Sequence, residues 1–283
     1  MKKRIGVKKH HGENYLLLGF VGICIFYILP FIRSLAYTFT QGVSVKRFVG
    51  VQNFIDLFHN PVFIQAVKNT GIFIGVLVPL LLFLSLTISY MMLGKKSALI
   101  RVILLTPLVI PSATLVLCVE QLLGNQGLVN RILTSFGIGT VDFMNHHAFL
   151  VIGFIYLLKN TGYMIVILNG AMTAVPGEYK DIYRIDSDSN MGFLFRIMLP
   201  QILPLLIFVV ILAVMNGLKI YREIYTIYGE TPPLDIYMLQ HFMNNNFLNL
   251  NYQRLCTAAF IVIAILSVFI VGLLKIQDRV RVE

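Results

Sequence analysis

Side chains able to do chemistry are scarce in these 283 residues, of which only 13% are charged. No catalytic constellation forms. The six histidines are scattered, with His10-His11 and His146-His147 as adjacent pairs. Neighbours in sequence point away from each other on a helix, so no metal site is expected. Cys24, Cys118 and Cys256 fall inside apolar blocks, without Cys-x-x-Cys or Cys/His spacing, and read as small buried hydrophobes. Gly94-Lys95-Lys96-Ser97 lacks the upstream glycines of a phosphate-binding loop. Two groups of polar residues remain. One is strung along apolar stretches: Glu120, then Lys159, Asn160, Thr161 and Tyr163, then Asn169, then Asn216, Lys219 and Tyr221. Polar groups in such stretches are costly and are functional candidates by default. The plainer readings are interhelical or interfacial pairing for Glu120 and Lys159, helix–helix glue for the amides, and cations reaching to a membrane surface for Lys219, Arg222 and Arg254. The other group is EYKDIYRIDSDSNMGFLFRIMLP, residues 178–200, which holds four acids, a lysine and two arginines.

The elements that must position these residues are helices in a membrane. The chain is 57% hydrophobic with a mean hydropathy of +0.80. Its apolar residues come in blocks rather than at the period of a soluble core, and about 20 apolar residues cross a bilayer as a helix. The blocks predict six spans, at about 15–39, 70–93, 102–123, 148–175, 200–219 and 255–276. A β-barrel is excluded, because its strands would alternate apolar and polar. The fold class is therefore all-α, a polytopic membrane protein. The basic segment 1–13 fronts an apolar run too long for a cleaved signal sequence, which reads as an uncleaved first span.

Charge sets the expected orientation. Segments 1–13, 94–101, 176–199 and 275–283 hold 14 of the 23 Lys/Arg, against four in segments 40–69, 124–147 and 224–253. Positive charge favours the cytoplasmic side, so both termini are expected there, and the net charge of +10 is topological rather than a nucleic-acid footprint. The organisation is a basic tail at 1–14, six spans over 15–276 and a short tail at 277–283. Pro30, Pro79, Pro107, Pro111, Pro200 and Pro204 kink or bound spans, since each removes a backbone hydrogen bond. In 48–73, Phe54, Leu57 and Phe58 share one face of a short helix.

The insert at 176–199 reads as helix–turn–helix on the cytoplasmic side. Pro176 suits a first helical turn, Glu178 and Asp181 lie near a positive helix N-terminus, and Tyr179, Ile182, Tyr183 and Ile185 make an apolar face. Asp186, Ser187, Asp188 and Ser189 break the helix and offer N-caps. An apolar face there suits docking into a partner's groove, or lying flat on lipid.

This insert resembles the cytoplasmic coupling loop of ABC-importer permeases, P-x-x-L-Y-E-A-A-x-I-D-G-A followed by F-x-x-I-x-L-P. Pro176, Glu178, Ile185 and Asp186 match, and Ile197 to Pro200 match I-x-L-P. Asp181, Ile182 and Tyr183 replace E-A-A, and Ser187 replaces the turn glycine, implying strain or a different turn. Residues 48–73, LLGNQGLVNRIL at 122–133, LKNTGYMIVILNGAMTAVP at 158–176 and KIYREIYTIYG at 219–229 are similar, in order, to the first of two unlike permeases of sugar importers.

That resemblance implies a transport subunit, not an enzyme, paired with a second permease, two cytoplasmic ATP-binding subunits and an extracellular solute-binding protein. It implies a bacterial inner-membrane location, contact with lipid, no partnership with nucleic acid and no cofactor of its own, ATP being used by the partner. The coupling residues would be Glu178, Tyr179, Asp181, Ile182, Tyr183, Ile185, Asp186 and Ser187. Candidates for contact with a sugar, which amides, carboxylates and aromatic faces bind, are Glu120, Asn160, Tyr163, Asn169, Asn216 and Tyr221. The rival is an ATP-independent carrier or channel, for which no inverted repeat is found. Phosphorylated polyols, oligosaccharides released from polymers and lipid-linked sugars are alternative cargoes.

Overall fold

The computed structural model describes residues 12–42, 47–94 and 98–282. The basic tail up to residue 11 and Lys95, Lys96 and Ser97 lie outside them. The chain begins with α1 (Gly12–Ile23), a π turn at Cys24–Ile28 and α2 (Leu29–Thr38). The turn closes with the Leu29 N–H on the Cys24 carbonyl, just ahead of Pro30. A widened turn there relieves the clash between a proline ring and the preceding turn. Next come the two-residue strands β1 (Thr40–Gln41) and β2 (Arg47–Phe48), antiparallel with Thr40 opposite Phe48, and then α3 (Gln52–Phe58). The long helix α4 (Pro61–Met91) precedes α5 (Ala98–Val109), α6 (Ser112–Leu123), α7 (Leu128–Ser135) and α8 (Phe143–His146). Then come α9 (Ala148–Ala174), α10 (Glu178–Asp186), α11 (Asn190–Phe193) and, after a second π turn at Leu194–Met198, α12 (Leu199–Leu218). The chain closes with α13 (Tyr221–Tyr228), α14 (Leu239–Leu248) and α15 (Tyr252–Val282).

Among the described residues, five stretches are long and apolar enough to cross a membrane: Gly19–Thr38, Pro61–Met91, Ala148–Ala174, Asn190–Tyr228 and Tyr252–Arg279. A sixth arises if Leu99–Val109 and Ser112–Ser135 count as one span. Large apolar side chains face outward along them, among them Phe26 at 74%, Phe83 at 66% and Val268 at 75% exposed. A water-soluble surface does not carry continuous apolar patches of this kind; lipid accepts them. The molecule is a multi-pass membrane protein.

Three spans differ from the sequence expectation; the second, expected over about 70–93, is helical from Pro61 to Met91. The third, expected as one run over 102–123, turns through 100° between α5 and α6. Pro111 is extended (φ −55°, ψ 141°) and has no N–H to continue α5, and the residue before a proline is pushed out of the helical region. The fifth, expected from Pro200, is helical from Asn190 onward, because the π turn carries the helix through Leu194–Met198 into Pro200. The second arm of the polar insert is thus the beginning of a span.

Contacts divide the chain into two units, one of residues 1–60 with 246–264 and one of 61–245 with 265–283. In the first, Asn53 is the organiser. Its Nδ2 donates to the Thr38 and Thr40 carbonyls at 2.9 and 3.0 Å, and its Oδ1 accepts from Gln41 Nε2 at 2.9 Å. Ring pairs Phe31–Phe260 and Tyr37–Tyr252, with centroids 5.4 and 6.0 Å apart, join α2 to α15.

In the second unit, α9 packs against α4, α5 and α12. Phe73, Leu77 and Leu81 of α4 meet Ile152, Ile155 and Tyr156 of α9 in the core, with Val209 and Ala213 of α12. The Tyr156 hydroxyl donates to the Ala213 carbonyl at 2.8 Å. Helices in lipid gain little from apolar contact with each other, so close backbone approach matters more. At Gly162 it is extreme: a Cβ there would lie 1.7 Å from the Leu104 carbonyl oxygen of α5. Asn69 of α4 donates to the Leu234 and Tyr237 carbonyls at 2.6 and 3.0 Å, fixing the segment after α13.

Candidate functional site

The site grows from three neighbouring residues of α9. Asn160 and Tyr163 lie at i and i+3 and share a face, with Lys159 beside them. Asn216, near the end of α12, faces them. Its Nδ2 donates to Asn160 Oδ1 at 2.9 Å and to the Tyr163 hydroxyl, which itself donates to Asn160 Oδ1 at 3.1 Å. Asn160 Nδ2 is spent on the Tyr156 carbonyl at 2.7 Å. The network therefore orients Asn160 fully and leaves Asn216 Oδ1 free to accept.

Beside this amide–phenol cluster is the one ion pair among the described residues, Lys159 with Glu223 of α13. Ser112, the first residue of α6, bridges it: Lys159 Nζ donates to Ser112 Oγ at 2.7 Å, and that hydroxyl donates to Glu223 Oε1 at 2.9 Å. The Glu223 side chain is 4% exposed and that of Lys159 24%. A carboxylate so buried persists as an ion only with such partners. The break between α5 and α6 is what brings Ser112 here.

Cluster and ion pair line a cavity of about 220 Å³, whose wall also includes Leu108, Lys219, Ile220 and Arg222. It offers donors and acceptors set in apolar surface, which suits reversible binding of a hydroxyl-bearing molecule.

The structure brings Asn160, Tyr163 and Asn216 together and leaves other candidates apart. Tyr221 meets His241 edge-on (centroids 4.6 Å) and lies tilted against Tyr225 (5.5 Å), outside the cavity lining. Asn169 is buried and donates to the Ser89 carbonyl of α4 at 3.1 Å, a helix–helix tie. Glu120 is half-buried in α6, and Lys159 pairs with Glu223 instead. Sequence reasoning missed Glu223 and Ser112. The available signal was that a lysine in mid-span requires a carboxylate at matching depth.

The 176–199 segment has its own geometry. Pro176 precedes the helix rather than opening it, and Gly177 is the N-cap of α10. Glu178 and Asp181 lie in the first turn and Arg184 in the last, complementing the helix dipole. Ser187 is extended (φ −161°), so the departure from glycine gives a different turn without strain. Ser189 Oγ caps α11 by accepting from the Gly192 N–H at 3.1 Å. Tyr183 turns inward onto Phe193, with centroids 5.8 Å apart. Tyr179, Ile182 and Ile185 point out, at 41%, 64% and 82% exposed; Asp186 ends the helix.

Away from the spans, His241 is fully buried and accepts the Met238 N–H on Nδ1 at 3.1 Å. Burial pushes its pKa down to about 4.

The family model for the binding-protein-dependent transport system inner membrane component matches residues 71–281. The chain is 24% identical over 235 residues to the lactose transport system permease protein LacF of Rhizobium radiobacter, covering 78% of each. It is 26% identical over 218 residues to the trehalose/maltose transport system permease protein MalF of Thermococcus litoralis, covering 74% of each. In fold it is similar to a chain of a bacterial ABC transporter involved in the import of the acidic polysaccharide alginate, with a TM-score of 0.79, 19% identity and 94% of each chain covered.

Proposed function

The chain belongs to the binding-protein-dependent transport system inner membrane component family, and from that premise we propose that it is the permease subunit of an ATP-driven importer of a sugar or oligosaccharide. It forms the translocation path with a second permease, is driven by two ATP-binding subunits on the cytoplasmic side, and receives solute from an extracellular binding protein. Both termini are cytoplasmic. The observation that carries the reading is the Asn160–Tyr163–Asn216 cluster in a cavity between apolar spans. Its amides and phenol suit sugar hydroxyls, and relatives named for lactose and for trehalose/maltose support the cargo class.

In this mechanism ATP is bound and hydrolysed by the partner. Closure of the ATPase pair pushes on Tyr179, Ile182 and Ile185 of α10, whose exposed face fits a groove. Tyr183 on Phe193 ties α10 to the helical run that continues into α12. Movement of α10 is thereby passed to Asn216 near the far end of α12 and alters the cavity.

Co-purification tests this. The tagged chain is isolated from native membranes after light crosslinking. Recovery of a second permease with a Walker-motif ATPase is the expected result. Repeated recovery of the chain alone replaces the reading with a self-sufficient carrier, and makes α10 a membrane-surface helix.

A further inference from the structure

The cavity wall is unevenly charged. Lys159, Lys219 and Arg222 line it, and Glu223 is the carboxylate among its described lining residues. Glu223 is already committed to Lys159 and Ser112 and contributes little free negative charge. Lys219 and Arg222 form no ion pair among the described residues. Lys219 ends α12 and Arg222 lies in the first turn of α13, so the joint between these helices sets two uncompensated cations at one rim of the cavity.

Both residues are exposed at that rim, and a neutral solute filling the space would strip part of their water and return no counter-charge. An anion offsets both: the guanidinium suits two oxygens of a carboxylate or phosphate, and the ammonium acts as a point charge beside it. Across the cavity Asn216 Oδ1 accepts from a hydroxyl. At about 220 Å³ the space is smaller than the roughly 300–1,000 Å³ of pockets that enclose drug-sized ligands, so it holds one ring of a larger solute. We propose that the cavity is a subsite for an acidic saccharide unit, its carboxylate or phosphate held by Lys219 and Arg222 and its hydroxyls by Asn216. This rests on the reading that the cavity lies on the solute path, and adds the charge of the cargo to it.

Leu108 lines the cavity and can carry a reporter thiol. Leu108→Cys is made with Cys24, Cys118 and Cys256 replaced by alanine, in the full complex in native membranes. Its labelling rates with an anionic (sulfonatoethyl) and a cationic (trimethylammonioethyl) methanethiosulfonate are compared with those of free cysteine. The expected result is a preference for the anionic reagent of about tenfold, the low end of focusing by a charged cleft. That preference falls to the free-thiol value when Lys219→Gln and Arg222→Gln are added. No preference, or one that survives both substitutions, overturns the anion assignment while leaving the path in place. Labelling by neither reagent from either side of the membrane removes the cavity from the path and overturns both readings.

Protection from labelling then names the anion. Trigalacturonate protecting better than maltotriose assigns a carboxylate; glucose 6-phosphate protecting better than glucose assigns a phosphate ester. Equal protection by neutral and acidic members, or none from all four, overturns the proposal.

Discussion

Removing the charge of Glu223 while Lys159 stays in place leaves a partly buried cation without its counter-charge. Breaking a buried pair from one side costs about 3–5 kcal/mol, and the partial exposure of Lys159 points to the lower end. Glu223→Gln should therefore lower the stability of the purified complex by about 3 kcal/mol, while Lys159→Met combined with Glu223→Gln should recover most of the loss. A double-mutant cycle on thermal unfolding reads both, and additive effects would show that the pair is not coupled. His241 has a different signature. Its pKa is about 4 in the fold, against about 6.5 in an open chain. The open form therefore takes up a proton first as pH falls. Stability is full above pH 6.5 and is lost progressively down to about pH 4, by about 3 kcal/mol at most. His241→Gln should flatten this part of the stability–pH curve; an unchanged slope would place the titration elsewhere.

At the scale of elements, α5 and α9 meet without room for a methyl group. Gly162→Ala should cost at least about 2 kcal/mol, since backbone on both sides of the contact must shift. Gly170→Ala, on the same helix but facing open space, should be neutral or stabilising by about 0.5–1 kcal/mol. The pair is compared by thermal unfolding in one detergent. Gly192→Ala differs again. Its Cβ would lie 2.1 Å from the Tyr183 hydroxyl, the far end of a side chain that can swing away. Stability should hold while the Tyr183–Phe193 contact, and with it the coupling of ATP hydrolysis to transport, is lost. Much of this level was legible in the sequence. Continuous apolar blocks gave α4, α9 and α15 within a turn or so, except that α4 begins at Pro61 rather than near Thr70 and α15 runs on to Val282 rather than ending near Ile276. Hydropathy averages over direction, however, so it could not show that Pro111 turns the chain aside. It is also blind to a π turn, which carried the helix upstream of Pro200. The candidate site was legible by residue type at Asn160, Tyr163 and Asn216, which the fold brings into one cluster. Glu223 was not, because it follows Arg222 and reads there as part of a solvated face; only depth in the bilayer pairs it with Lys159.

For the whole molecule, the exposed face of α10 is the test of assembly. Ile185 is 82% exposed, and burying such a side chain against a partner contributes about 2 kcal/mol. Ile185→Cys should crosslink to an ATP-binding subunit in the intact complex, and Ile185→Asp should reduce co-purification of that subunit by about tenfold or more. A cysteine at 185 that reaches no ATPase would place α10 against lipid. The ion pair also bears on how the chain is made. Lys159 and Glu223 are 64 residues apart, and the lysine leaves the ribosome first. At about 5–20 residues per second, α9 waits roughly 3–13 s for its counter-charge. During that interval the helix must be kept in the bilayer by what has already been synthesised, chiefly the seam with α4 where Gly153 lies against Leu77. A nascent chain halted short of residue 223 would thus display an ammonium in the membrane with the Ser112 hydroxyl but no counter-charge, a mark by which a quality-control protease could tell an unfinished product from a complete one.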